Sequence, residues 1–109
     1  MNTSYFAKYK GTNGVSISAK SPSWWSGREY KKLAPKYWFL MKFKEDGDMS
    51  HYVYHYKKEV LDLLDPQEVY GELGSDAVLL CYEKSNQFCH RHLVSAWLNK
   101  HLDLGITEL

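Results

Sequence analysis

The spacing of apolar positions along the chain changes several times, and each change marks an element. In "GVSISAK" Val15 and Ile17 alternate with Ser16 and Ser18, the two-residue period of a strand, and "SYFAKY" before it reads as another short strand. Asn13-Gly14 is a strong turn pair, so the two strands are expected to be joined by a turn through "KGTNG". "SPSWWSGREYKKLAP" then reads as a polar loop closed by Pro35, long enough to carry a function.

After Pro35 the period lengthens. "KYWFLMKFKE" predicts a short helix, stopped by the turn-forming "DGD" at residues 46 to 48. A longer helix is expected from about Met49 to Leu64, with Met49, Tyr52, Val53, Tyr56, Val60, Leu63 and Leu64 on one stripe. His51, Tyr54 and His55 face away from it, which makes the two histidines surface residues. Asp65-Pro66 ends that helix, and Pro66 suits the first turn of another, "PQEVYGEL".

"DAVLLCYEK" is a continuous apolar run, the pattern of a strand covered on both faces. A helix is expected from Ser85 or Asn86, both good N-caps, to about Leu102, and Leu104-Gly105-Ile106 suggests a last strand. Strands interleaved with helices predict a single domain over residues 1–109. Its class is α/β: a three-layer sandwich with a small, at least partly parallel sheet and helices on both faces.

Charge and composition narrow the function. The chain has 109 residues, 14 basic and 13 acidic, for a net charge of +1 with neutral histidines, so no large nucleic-acid or anionic-membrane footprint is advertised. It has two cysteines, no signal-like start and no apolar stretch near about 18 residues. These features predict a soluble cytoplasmic protein with free thiols and no membrane partner. Nine Tyr, four Trp and four Phe suit a core of large side chains, and Tyr and Trp also suit binding surfaces.

The chemistry is concentrated in "LLCYEKSNQFCHRHLVSAWL", residues 79 to 98. Functional groups in parallel sheets collect beyond the carboxyl ends of strands, where the next helix begins. A helical wheel puts His90 and Arg91 on the inward stripe with Leu93, Val94, Trp97, Leu98, His101 and Leu102, while Cys89 lies at its edge and His92 almost opposite. Zinc held by Cys81, Cys89, His90 and His92 is disfavoured, because C-x7-C-H-x-H lacks the usual paired ligand spacing, and no metal or cofactor is predicted. Cys89 beside His90 and Arg91 has the setting of an activated nucleophile, although no third partner follows from spacing. Amides at the helix start, with Arg91 gripping through two parallel hydrogen bonds, would hold a phosphate or carboxylate, and Glu83 would supply an acid or base. The competing reading is that Arg91 pairs with Glu83 and the cysteines are small buried side chains; both readings stay open.

The same stretch resembles the signature of domain-of-unknown-function family 488, an apolar strand ending in Cys and Glu followed by a Cys-His-Arg helix start. The likeness extends to "VSISAKSPSWW", to "YKKLAP" and to the tyrosine-rich helix before Asp65-Pro66, nearly the whole chain. It implies an α/β sandwich with a pocket built from Cys81, Glu83, Cys89, His90 and Arg91, in a short bacterial or phage-encoded version. Many relatives carry Asp and Arg on the first long strand, where this chain has Ser16-Ile17-Ser18.

The leading functional expectation is binding of a phosphate-bearing ligand, a nucleotide or nucleic-acid end, at residues 81 to 91. Catalytic roles would fall to Glu83, Cys89 and His90, and binding roles to Cys81 and Arg91. If the early strand runs parallel to "VLLCYEK", the loop with Trp24, Trp25 and Arg28 reaches the same sheet edge, where a tryptophan stacks a base. The alternative is a non-enzymatic phage or mobile-element accessory protein whose exposed aromatics contact a host protein. Enzymatic turnover through Cys89 is a third reading.

Overall fold

Apolar residues that pack on both sides force a strand to the middle of a sheet, and here that strand is the "VLLC" run. The computed structural model describes all 109 residues. Its strands are β1 (Asn2–Tyr5), β2 (Gly14–Ser16), β3 (Arg28–Glu29), β4 (Val78–Cys81) and β5 (Thr107–Glu108); its helices are α1 (Tyr37–Asp46), α2 (Met49–Glu59), α3 (Pro66–Leu73) and α4 (His90–Leu102). All four residues of β4 are buried. The strand order is β3-β2-β4-β1-β5 and every pairing is parallel, with Ser4 and Ser16 both level with Leu80.

The α/β sandwich with a parallel sheet is thus present. The second strand begins at Gly14 as the pattern put it, whereas the first lies earlier than "SYFAKY", over Asn2–Tyr5, and residues 6–8 turn away from the sheet. The two strands are not neighbours, however. Each pairs with β4, on opposite sides, so residues 6–13 form a crossover. Gly14 is needed for clearance, since a Cβ there would lie 2.8 Å from both Leu80 Cδ1 and Trp25 Cη2.

The chain steps from β1 to β2 to β3 toward one edge of the sheet, then from β3 to β4 to β5 toward the other. A uniform right-handed crossover sends the first two connections over one face and the last two over the opposite face. All four helices lie in the second set. Their Phe39, Tyr52, Tyr56, Val69, Val94 and Leu98 join Val15, Ile17 and Leu79 in the main core. On the other face, where helices were also expected, loops do the covering: Phe6, Tyr9 and Trp25 pack on Val78 and Leu80.

Local signals explain most helix ends. Gly47, at φ +68°, terminates α1 in the left-handed conformation, and the Asp48 side chain accepts from His51 N at 3.1 Å to begin α2. The Asp65 side chain accepts from Gln67 N at 3.0 Å, and Pro66 opens α3. The helix expected to reach Leu64 ends at Glu59, and a 3-10 turn follows over Leu61–Leu63. That tighter turn shifts the phase, so Leu61 enters the core and Leu63 is 73% exposed. His51 and His55 are half-buried against Trp38, and His55 Nδ1 lies 2.7 Å from Glu59. The last strand falls one residue beyond the expected Leu104–Ile106, because the Asn99 side chain occupies the backbone of Ile106, accepting from its N at 2.9 Å and donating to its O at 3.1 Å. No helix is long and apolar enough to cross a membrane.

The Tyr56 hydroxyl, fully buried on α2, donates to Leu33 O at 2.6 Å and so ties the helix layer to the segment entering α1. Tyr56→Phe leaves that carbonyl without its partner. Urea unfolding of the variant should show a loss of about 1–3 kcal/mol, and an unchanged midpoint would show that the bond contributes nothing.

Candidate functional site

The loop after β4 decides where α4 starts. Lys84 N donates to Gln87 Oε1 at 3.2 Å and Gln87 N to Lys84 O at 3.0 Å, closing a turn over residues 84–87. The Ser85 hydroxyl is used elsewhere, donating to Glu108 Oε2 at 2.7 Å. The helix expected from Ser85 or Asn86 therefore begins at His90, with Cys89 as N-cap and no side chain capping it. His92 N donates to Cys89 O at 3.1 Å, while the amides of His90 and Arg91 are left unpaired by the helix itself and carry the positive end of its dipole.

Arg91 is 0% exposed. Nε donates to Glu108 Oε1 at 3.1 Å and NH2 to Glu108 Oε2 at 2.8 Å, a two-pronged ion pair, while NH1 donates to Cys81 Sγ at 3.1 Å. Three of the guanidinium's five N–H groups are thus committed and the group is shut off from solvent. The grip on an external anion expected of Arg91 is taken up by Glu108, which also accepts from Thr3 Oγ1 at 2.6 Å. Partial burial pushes the Glu108 carboxyl up, but the bonds from Arg91, Thr3 and Ser85 outweigh it and hold the pKa at about 2. Glu83, the partner suggested by sequence, is exposed and makes no ion pair.

The free thiols expected from composition are not present. Cys81 at the end of β4 and Cys89 at the N-cap of α4 are joined as a disulfide, because the loop between them folds the strand end and the helix start face to face. His90 is buried beside them, with Nε2 2.7 Å from Ile17 O and Nδ1 3.7 Å from Cys89 Sγ. Burial is the main cause that drives its pKa down, to about 4; the bond to Ile17 O opposes the shift and the Arg91 cation adds to it. His92, which the helical wheel turned outward, is partly buried with Nε2 unpartnered, and burial followed by the Arg91 charge lowers its pKa.

Cys81, Cys89 and His90 line a cleft of about 650 Å³ at the carboxyl edge of the sheet, together with Glu83. Residues Ser18, Ala19 and Lys20 after β2 form one side, and Tyr37, Phe43 and Lys44 of α1 with Tyr52 of α2 form another; Tyr82 and Phe88 complete an aromatic lining. The Ser18 hydroxyl is buried there without a hydrogen-bond partner.

Three binding candidates lie elsewhere. The strand condition holds, since β2 runs parallel to β4, but the loop turns to the other face of the sheet. Trp25 packs on Phe6 at 5.3 Å between ring centroids and donates through Nε1 to Arg28 O at 3.0 Å. Trp24 is 64% exposed, edge-on to Phe6. Arg28 NH1 and NH2 donate to Leu73 O at 2.9 Å and Glu72 O at 3.1 Å, satisfying carbonyls at the end of α3. Ser18, Lys44 and Glu108 were not singled out by sequence reasoning. The alternation around Ile17 marks Ser18 as a strand-end hydroxyl, whereas nothing local marks Glu108.

These groups set the acid response. The unfolded chain protonates His90 near 6.5 and the native chain only near 4, so protons favour unfolding through that window. Glu108 adds a second window, from its ordinary 4.5 down to about 2, with its stabilisation full above the first value and lost toward the second. Urea titrations at a series of pH values should show stability falling in these two stages. Glu108→Gln should remove the second stage and cost about 3 kcal/mol at pH 7 by leaving a buried guanidinium unbalanced. A variant as stable as the parent at pH 7 would mean that the pair holds nothing together.

No curated protein and no solved structure matches the chain significantly. One family model does, over residues 11–102, and its description is the active DUF488-N3 subclade. That span holds β2 through α4 and therefore every residue of the cleft, while Thr3 and Glu108, which anchor Arg91, lie outside it. With the strand, the Cys-His-Arg helix start and the cleft all inside the match, the chain belongs to the DUF488 family, in its DUF488-N3a subclade.

Proposed function

We propose that the cleft binds a small phosphate-bearing ligand, a nucleotide or a nucleic-acid end. The observation that carries this reading is the uncapped start of α4 opening on a cleft in which the buried Ser18 hydroxyl has no partner. First-turn amides and the dipole of a 13-residue helix favour an anion there. Lys20 and Lys44 on the rim add positive charge, and the Phe43, Tyr52, Tyr82 and Phe88 rings give a flat base an apolar surface. Arg91 contributes from behind, as a positioning residue that fixes the helix start through Glu108. Glu83 is the acid or base within reach of a ligand in the cleft. We assign this chemistry to a cytoplasmic protein of bacterial or phage origin, in which thiol reductants open the Cys81–Cys89 bond. A second reading, contact with a host protein, rests on the exposure of Trp24.

Thermal melting with inorganic phosphate and a panel of nucleotides tests the reading. A ligand at 100 times its Kd should add about 2.7 kcal/mol, a rise of roughly 10 °C for a domain of this size. Lys20→Glu and Lys44→Glu should each weaken the response, and added salt should weaken it further. No shift with any of these ligands, together with capture of a partner that is lost on Trp24→Ala, would replace the ligand reading with the second one.

A further inference from the structure

In the oxidised chain His90 holds a ring nitrogen toward two sulfurs that carry no proton. Nε2 lies 2.7 Å from Ile17 O, and a carbonyl only accepts, so Nε2 carries hydrogen and donates. Nδ1 is then the nitrogen with a free lone pair, 3.7 Å from Cys89 Sγ and deep in the protein. Its lone pair has no donor in this state of the cysteines.

We propose that, once the Cys81–Cys89 bond is reduced, Cys81, Cys89 and His90 form a zinc(II) site with one coordination position open to the cleft. The three donor atoms lie within 4.8 Å of one another and all three residues are buried. A tetrahedral zinc with Zn–S of about 2.3 Å and Zn–N of about 2.0 Å needs its donors roughly 3.5 Å apart, a spacing that the parted sulfurs reach by side-chain rotation. A histidine whose other nitrogen donates to a backbone carbonyl is the usual outer support of a metal ligand, and Ile17 supplies that carbonyl. Arg91 NH1 donates to Cys81 Sγ and favours a thiolate there. Because Glu108 already balances Arg91, two thiolates and one dication leave the buried site neutral. Two cysteines and one histidine, with the fourth position free, are a ligand set of catalytic rather than structural zinc. All three line the cleft, so the free position faces it.

The disulfide is the metal-free form of the same site. A low-molecular-weight disulfide takes two electrons from the two thiolates; the Cys81–Cys89 bond forms, Zn²⁺ leaves, and the oxidant departs as two thiolates. Two thiols reverse the exchange.

The proposal goes beyond the phosphate reading and does not rest on it. The test is anaerobic titration of the reduced chain with Zn²⁺ and, separately, Co²⁺, followed by native mass spectrometry and absorption. One equivalent should bind, and cobalt should give a sulfur-to-metal charge-transfer band with the visible absorption of a tetrahedral ion. The oxidised chain should bind none. Cys81→Ser and Cys89→Ser should each abolish the charge-transfer intensity of a two-thiolate site, and His90→Gln should lower affinity by roughly 100-fold. Circular dichroism confirms folding of each variant, and the oxidised parent is a control that needs no substitution. Absence of saturable one-to-one uptake by the reduced chain overturns the proposal. So does uptake that persists after oxidation or in both cysteine variants, which would place the metal on the adjacent His51 and His55, whose rings are 4.5 Å apart. Repeating the phosphate and nucleotide melts with a chelator present separates the two ideas, since the cleft's own binding should survive removal of zinc.

Discussion

A guanidinium with no access to water must be balanced where it lies, and the architecture around Arg91 follows from that demand. Its charge sits at the start of α4, its counter-charge on β5, its third hydrogen bond on the last residue of β4, and the supporting hydroxyls on β1 and on the loop after β4. Tyr5 adds a ring 5.9 Å from the guanidinium carbon. Buried ion pairs add little net stability because desolvation offsets their attraction, yet removing one partner is costly. Such a pair therefore selects an arrangement more than it deepens one. Here it sets the register between the first turn of α4 and the edge of the sheet beside β1.

Much of this was legible from local pattern, and what was not depended on partners distant in sequence. The apolar run of β4, the Asp65-Pro66 start of α3 and the inward direction of Arg91 each follow from a few consecutive residues, and each was found. Ser85 is as good an N-cap by type as any residue in the chain, but its hydroxyl serves a carboxylate 23 positions later, so the helix starts at His90. Asn13-Gly14 has the composition of a tight turn, yet Gly14 is there because Leu80 and Trp25 leave no room for a side chain. The disulfide ran against what cysteine count and compartment suggest. It depends on how an eight-residue separation is closed, and spacing alone does not specify that.

The cleft is a consequence of strand order. β2 and β4 are parallel neighbours, so Ser18–Lys20 and Cys81–Glu83 emerge side by side at one end of the sheet. The long connection from β3 to β4 must cross the helical face, and it lays α1 and α2 along that opening. On the other face the two connections, residues 6–13 and 17–27, form no helix. Their aromatic residues seal the sheet instead, which is why Trp25 is spent on packing and the rings that line the cleft come from α1, α2 and the loop after β4.

The division of labour between His90 and Arg91 comes from helix geometry. Consecutive residues on a helix point about 100° apart, and with Cys89 as the N-cap the imidazole turns toward β2 and Ile17 while the guanidinium turns toward β1 and β5. A start shifted by one residue would turn both side chains by about 100° and carry Arg91 away from the Glu108 carboxylate that balances it. As built, the fixed charge is neutralised behind the site, and the group facing the cleft is an imidazole that burial keeps uncharged at neutral pH. On the proposed reading, positive potential in the cleft would come from a helix start and from two rim lysines, and salt would screen both. On the proposed phosphate reading, α4 would orient the bound anion, and Lys20 and Lys44 would draw it in from solution.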